Sequence, residues 1–187
     1  MYMVSTQIKL LDIDNNKIFL ATKTNELINN NDILFINSGI TNEYLISLIN
    51  KPVYLFTNSI EIFKQAINNK NILDTILIGG RYLAESKVLV GSHSLANLEN
   101  VKFSKCILNI KNISNTYDLY AKNEEEAQLK QKVLSASNTK IIIAENDSIN
   151  TIGFIKYANL KECDIFITNN KSLPNINEIG NSIIVIN

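Results

Sequence analysis

"ILFINSGIT", residues Ile33 to Thr41, sets an apolar run of strand length against a small polar corner, and "TNEYLISLIN" continues from it with apolar residues at helical spacing. The chain therefore passes from a buried strand to an amphipathic helix through Asn37, Ser38 and Gly39. A helix start presents unpaired N–H groups and the positive end of its dipole, and small residues let an anion approach them. The same corner would also serve as a simple capped turn.

Outward from this stretch the pattern recurs. "VYLF" from Val53, "TILI" from Thr75, "CILNI" from Cys106, "KIIIA" from Lys140, "DIFIT" from Asp164 and "SIIVI" from Ser182 are short runs rich in Ile and Val. Among them, "KIFLATKTNELI", "SIEIFKQAINN" and "NEEEAQLKQKVLSAS" carry apolar residues three and four apart, as helices with one buried face do. The alternation predicts an α/β fold, a Rossmann-like sandwich with a mainly parallel central sheet. Apolar runs without polar interruption fit parallel strands covered on both faces. Residues 81–100 and "IKNISNTYDLY" from Ile110 break the rhythm and are expected to be excursions from the sheet. At 187 residues the chain reads as a single domain, 1–187.

Composition narrows the function. Acidic and basic residues balance at 18 each, so the surface has no overall attraction for nucleic acid, whose binding rests on Lys and Arg neutralising phosphates. Cys106 and Cys163 lie far apart beside apolar runs and form no C-x-x-C, as reduced structural thiols of a cytosolic protein would. No signal peptide and no apolar run of about 20 residues is seen, so a cytoplasmic location with no membrane contact is expected. The triplet Glu124 to Glu126 is expected to open a helix, where carboxylates complement the dipole.

In an open parallel sheet the ligand crevice lies beyond the carboxyl ends of the strands. Those ends read Asn37-Ser38-Gly39, Thr57-Asn58-Ser59, Gly79-Gly80-Arg81 and Glu145-Asn146-Asp147, all small or polar. Each is explicable as a turn or cap, Ser59 before "IEIF" above all, but together they suggest one small-molecule cleft. The single histidine, His93, makes neither a metal cluster nor a Ser-His pair alone, and Gly91-Ser92-His93 reads as the start of a short helix. No G-x-S-x-G, Walker A or G-x-G-x-x-G is present, so no metal, cofactor or nucleotide chemistry is called for and binding is better supported than turnover.

Taken in order, "KIFLATKTNELINNNDILFINSGIT", "LFTNSIEI", "LIGGRYLAESKVLVG", "KCILNIKNI", "EEAQLKQKVLSASNTKIIIAE" and "LKECDIFITNN" resemble the C-terminal sensor domain of DeoR-family bacterial transcription regulators, from about Lys17 to Asn170. The resemblance implies the fold of ribose-5-phosphate isomerase, glucosamine-6-phosphate deaminase and coenzyme A transferases. It also implies a phosphorylated sugar as effector, and homo-oligomerisation. Carried over, Ser38, Gly39 and Thr41 match the family's D-S-G-T-T loop as phosphate contacts, with Asn37 at its Asp and Ile40 at a Thr. Asn58, between Thr57 and Ser59, and the pair Gly79-Gly80 beside Arg81 also match; Lys105 matches a basic position and Glu126 an acidic one. Two motifs depart: G-x-D-G reads Asn109-Ile110-Lys111-Asn112, and D-x-S-K reads Glu145-Asn146-Asp147-Ser148, without the lysine. Losing that cation weakens a phosphate site, so either the effector differs or sensing has decayed.

Only sixteen residues precede Lys17, too few for the family's winged helix-turn-helix, so DNA is expected to be reached only through a segment absent from this chain. The leading expectation is a sugar-phosphate-sensing and oligomerising domain of a transcription regulator. The alternatives are a sugar-phosphate isomerase of the same fold and a degenerate dimerisation domain without ligand. Isomerisation needs a carboxylate base and a cation beside the sugar. The segment where the resembling isomerase places Asp residues reads "NIKNIS", with no carboxylate.

Overall fold

The computed structural model describes residues 14–170 and the backbone of 182–185. The opening stretch forms β1 (Ile33–Ile36) and α2 (Ile40–Leu48), preceded by α1 (Asn15–Glu26). Asp14 starts α1 by accepting from the N–H groups of Asn16 and Lys17 at 3.1 and 3.2 Å. β2 (Val53–Thr57), α3 (Ile60–Ala66) and β3 (Ile72–Leu77) follow, with Ser59 capping α3 as expected. β6 (Phe103–Asn109), α5 (Glu124–Ser135), β8 (Ser137–Ala144), β10 (Ile165–Thr168) and β11 (Ser182–Val185) complete the alternation. The acidic triplet opens α5 behind the Asn123 cap.

The sheet has seven strands in the order β11-β10-β8-β6-β1-β2-β3, every neighbour parallel. The chain runs outward from β1 to β3, then crosses back to β6 on the other side of β1. β1 and β6 therefore form the switch point where a crevice opens beyond the carboxyl ends. The central strand β1 serves both faces. Leu34 and Ile36 enter one cluster with α1, α2 and α3, and Phe35 enters the other with Phe103, Leu108, Ile142 and the α5 residues Leu129 and Val133. Hence the apolar runs do not alternate with polar residues. Phe103 is fully buried and meets Phe56 edge-on at 5.3 Å and Phe35 at a tilt at 5.6 Å.

Both expected excursions leave the sheet and form small antiparallel ribbons. β4 (Arg81–Leu83) pairs with β5 (Val88–Val90), and α4 (Ser92–Ala96) follows at the predicted helix start around His93. β7 (Asp118–Ala121) pairs with β9 (Ile155–Asn159). Among the described residues, no helix is long and apolar enough to cross a membrane.

Candidate functional site

At the switch point the Asn37 side chain bridges the two strands that part there. Its Oδ1 accepts from the Asn109 N–H at 2.8 Å and from Asn42 Nδ2 at 2.9 Å, and its Nδ2 donates to the Asn109 carbonyl at 3.0 Å. The amide side chain thus extends the β1–β6 ladder by one step. An aspartate would lack the donor to Asn109, which accounts for an asparagine here. Gly39 follows at φ +144°, a conformation that L side chains rarely adopt, and a Cβ added there would lie 3.0 Å from Asn109 Cβ and Cγ. Glycine is therefore required by the backbone and by Asn109, whatever else the corner does.

α2 begins directly after Gly39 with no side chain capping it. The Glu145 carboxylate lies beside its first turn, accepting from Thr41 Oγ1 at 3.3 Å and pairing with Lys17 Nζ at 2.8 Å. Asp14 also pairs with Lys17. Burial disfavours the Lys17 charge, but the bonds to Asp14 and Glu145 outweigh it and hold the ammonium above the ordinary lysine range.

Beyond this corner lies a cavity of about 570 Å³. Its walls include Ser38, Gly39 and Ile40 from the α2 corner, Asn58 and Ser59 after β2, and Glu145 after β8. Ile40 is 50% exposed and does not plug the corner. The two excursions supply the remaining walls: Glu85 to Val88 around the β4–β5 turn, Lys111 and Asn112 after β6, and Tyr120 and Ala121 of β7 with Lys122 after it, together with Glu126 and Lys130 from α5. The turn is pinned in place, Ser86 Oγ donating to Glu126 and Glu85 pairing with Lys122. Asn58 holds the hairpin from below, donating through Nδ2 to the Leu89 carbonyl at 3.1 Å, while its buried Oδ1 has no partner.

Charge is distributed unevenly along these walls. Burial, and then Glu61, raise the Glu43 carboxyl above the usual range. Lys130 has most of its side chain buried, and its ammonium lies 3.8 Å from Glu126 Oε2 and 5.3 Å from the Tyr157 ring centre. Burial lowers its pKa, Glu126 opposes the shift and Lys111 adds to it. Among the described residues, no group of His, Cys, Asp and Glu could hold a metal ion.

Of the sequence-derived candidates, Asn37, Ser38, Gly39, Ile40, Asn58, Ser59, Glu126 and Glu145 line the cavity. Thr41 stands behind Glu145, and Thr57 is buried with its Oγ1 accepting from the Ser59 N–H at 3.1 Å. Gly79, Gly80 and Arg81 lie outside the wall. Gly80, at φ +147°, lets β5 and α4 close in, since a Cβ would fall 2.2 Å from Ser94 Oγ and 2.5 Å from the Val90 carbonyl. Arg81 is exposed and pairs with Glu125. Lys105 lies toward the amino end of β6, away from the crevice, in an ion pair with Asp32 at 2.5 Å. The candidates omitted Lys17, Lys111 and Lys130. The signal for Lys111 was its place in the departed G-x-D-G motif; Lys130 carried none, because a lysine on a helix is ordinarily solvated.

Comparison with known proteins agrees with this geometry. The family described as the DeoR C terminal sensor domain matches residues 14–170. The HTH-type transcriptional repressor GlcR of Bacillus subtilis is 25% identical over 172 residues, 91% of this chain and 64% of that protein. The lactose phosphotransferase system repressor of Lactococcus lactis is 26% identical over 162 residues, 84% of this chain and 63% of that protein. The chain thus spans less than two thirds of the length of these relatives. In fold it is similar to the tetrameric eIF2B-beta2-delta2 complex from C. thermophilum, at TM-score 0.56 and 14% identity over 76% of this chain and 44% of that one. It is likewise similar to ribose 5-phosphate isomerase A from Methanocaldococcus jannaschii, at TM-score 0.50 and 11% identity over 71% of this chain and 53% of that one. A parallel sheet with its crevice at the β1–β6 switch point, matched from the α1 cap to the end of β10, leaves one assignment: the chain belongs to the DeoR C-terminal sensor domain family.

Proposed function

We propose that the chain is the effector-binding and self-associating part of a sugar-responsive transcription regulator of the cytoplasm, and that its cavity takes a phosphorylated sugar. The carrying observation is a cavity at the sheet's switch point whose walls combine the small Ser38-Gly39 corner with lysines and hydrogen-bonding side chains, in a chain of a sensor family. A relative that is a lactose phosphotransferase system repressor supports a sugar-derived ligand. In this reading Ser38, Gly39, Asn58, Glu126 and Glu145 contact the ligand. DNA is contacted by a separate segment of the regulator. Self-association is supported by Leu73 and Ile76, exposed on the edge strand β3, and is measured as molar mass in solution.

Thermal denaturation against pentose and hexose phosphates tests the reading. A ligand at about a hundred times its Kd stabilises the folded state by about 2.7 kcal/mol. For a chain of this size that raises Tm by about 5–10 °C. Absence of any shift at millimolar concentration would leave a scaffold without ligand as the better description. No turnover of these sugars is expected: Glu126, a carboxylate on the cavity wall, is already bonded by Ser86 Oγ and, at 3.3 Å, by Asn123 Nδ2. Isomerisation lost in Glu126→Gln would reverse that assignment.

A further inference from the structure

We propose that the open edge of β3 is where this chain joins a second copy of itself, the two β3 strands pairing antiparallel about a two-fold axis at Thr75. The inference rests on the self-association reading above and names its surface and register. β3 ends the sheet, with β2 on one side and no strand among the described residues on the other. The Ile78 N–H donates to the Thr57 carbonyl at 2.8 Å, so alternate residues of β3 face β2, and Thr75 and Leu77 turn their backbone groups to the open edge. There the Thr75 N–H donates to Asp74 Oδ1 at 2.8 Å, an exposed side chain that an incoming strand carbonyl can replace. Edges kept from pairing commonly carry lysine or proline; β3 has neither, and Asp74 is its single charge. The bulge opposite Val53 and Tyr54 lies at the amino end of β3, clear of Thr75.

The surface around this edge is apolar. Leu73 is 51% and Ile76 39% exposed, and Tyr54 and Ile33 on the strands behind them are 41% and 37% exposed. Ile33 stands beside Tyr54 and Phe56 beside Ile76, so an apolar stripe runs across the Phe35 face from β1 to the edge. A second copy fits better than an unrelated strand because β3 complements itself. With the axis normal to the sheet, directly opposed residues share a face, so a residue pairs only with one an even number of places away. Two registers overlap most of β3. Centring on Asp74 sets two carboxylates opposite each other, which is unfavourable. Centring on Thr75 sets the two threonines together, Asp74 against Ile76 of the second copy, and Leu73 against its Leu77. The same axis brings both apolar stripes side by side on one face.

Sedimentation of the full chain across a concentration series tests this, with Thr75→Pro, which removes the edge donor, and Ile76→Lys, which charges the stripe. Ile152→Lys, in the exposed apolar segment before β9, is the control. We expect the parent to self-associate, both β3 variants to weaken that at least about tenfold through the lost pair of hydrogen bonds or the added charge, and the control to match the parent. Oxidative cross-linking reads the register. Thr75→Cys should form an intermolecular disulfide, since hydrogen-bonded partners lie about 5.5 Å apart between Cα atoms. Asp74→Cys should not, because its counterpart lies diagonally at about 7–8 Å. The native Cys106 and Cys163 are buried and do not interfere. Unchanged association in both β3 variants, equal loss in the control, or cross-linking at Asp74→Cys instead of Thr75→Cys would overturn the inference while leaving self-association standing. A parent that sediments as a monomer throughout overturns the self-association reading, and this inference with it.

Discussion

Asn37 does at the residue scale what a backbone strand does elsewhere: it presents a donor and an acceptor to the neighbouring chain. Removing it in Asn37→Ala leaves the Asn109 N–H, its carbonyl and Asn42 Nδ2 without this partner in a buried place. The expected cost is about 2–3 kcal/mol, read as a lower urea midpoint at unchanged slope. Asn37→Asp should also destabilise, because a carboxylate would face the Asn109 carbonyl it now donates to. The cysteines make a separate prediction. Burial pushes Cys106 up to about 11 and Cys163 up to about 12. Both thiols therefore stay protonated at neutral pH and unreactive toward iodoacetamide until the chain unfolds. Labelling of the native protein at the rate of a free thiol would show that they are open to solvent.

At the scale of elements, the two small ribbons matter most, because they raise walls around a crevice that the sheet alone leaves open. The β4–β5 turn is tied to α5 through Ser86 and to Lys122, just after β7, through Glu85, and the β7–β9 ribbon is tied by Asp118. Lys156 Nζ lies 2.7 Å from Asp118 Oδ1, Asn159 Nδ2 donates to the same oxygen at 2.8 Å, and Thr116 Oγ1 donates to Oδ2 at 3.1 Å. The Lys156 hydrogen bond, then that of Asn159, holds the Asp118 carboxyl below its ordinary 3.8. A depressed folded-state pKa contributes stability that is complete above the unfolded value and lost as pH falls through the folded one. The ribbon should therefore loosen below about pH 4, the ordinary carboxylate range. Asp118→Asn should be less stable than the parent at pH 7 and lose less on acidification, measured as Tm against pH. Equal acid limbs in parent and variant would remove Asp118 from the account.

For the whole molecule, one sheet serves two apolar clusters, so neither face can unfold and leave the other intact. Phe103→Ala, which empties the space between Phe35 and Phe56, should cost about 3–5 kcal/mol. Parent and variant alike should unfold in one transition, with tyrosine fluorescence and far-UV circular dichroism coinciding. The strands and long helices were legible in the sequence, because a strand buried on both faces must be apolar throughout and a helix on its surface apolar along one stripe. So were the cap at Ser59, whose side chain bonds the chain only three residues on, and the helix start at Glu124 to Glu126. The site was legible only in part. Ser38, Gly39, Asn58 and Glu145 lie at strand ends, where the order of parallel strands alone brings them to one crevice. Gly80 and Lys105 resembled site residues by motif but are spent on the hairpin and on an ion pair with Asp32. The sequence by itself determined the alternation, the parallel sheet and the corner after β1, since these follow from periodicities that each residue carries locally. Only the tertiary structure decided that Glu145 occupies that corner and that Lys130 lines the cavity between Glu126 and the Tyr157 ring. Both depend on which side chains from distant segments come within bonding distance, and no local pattern encodes that.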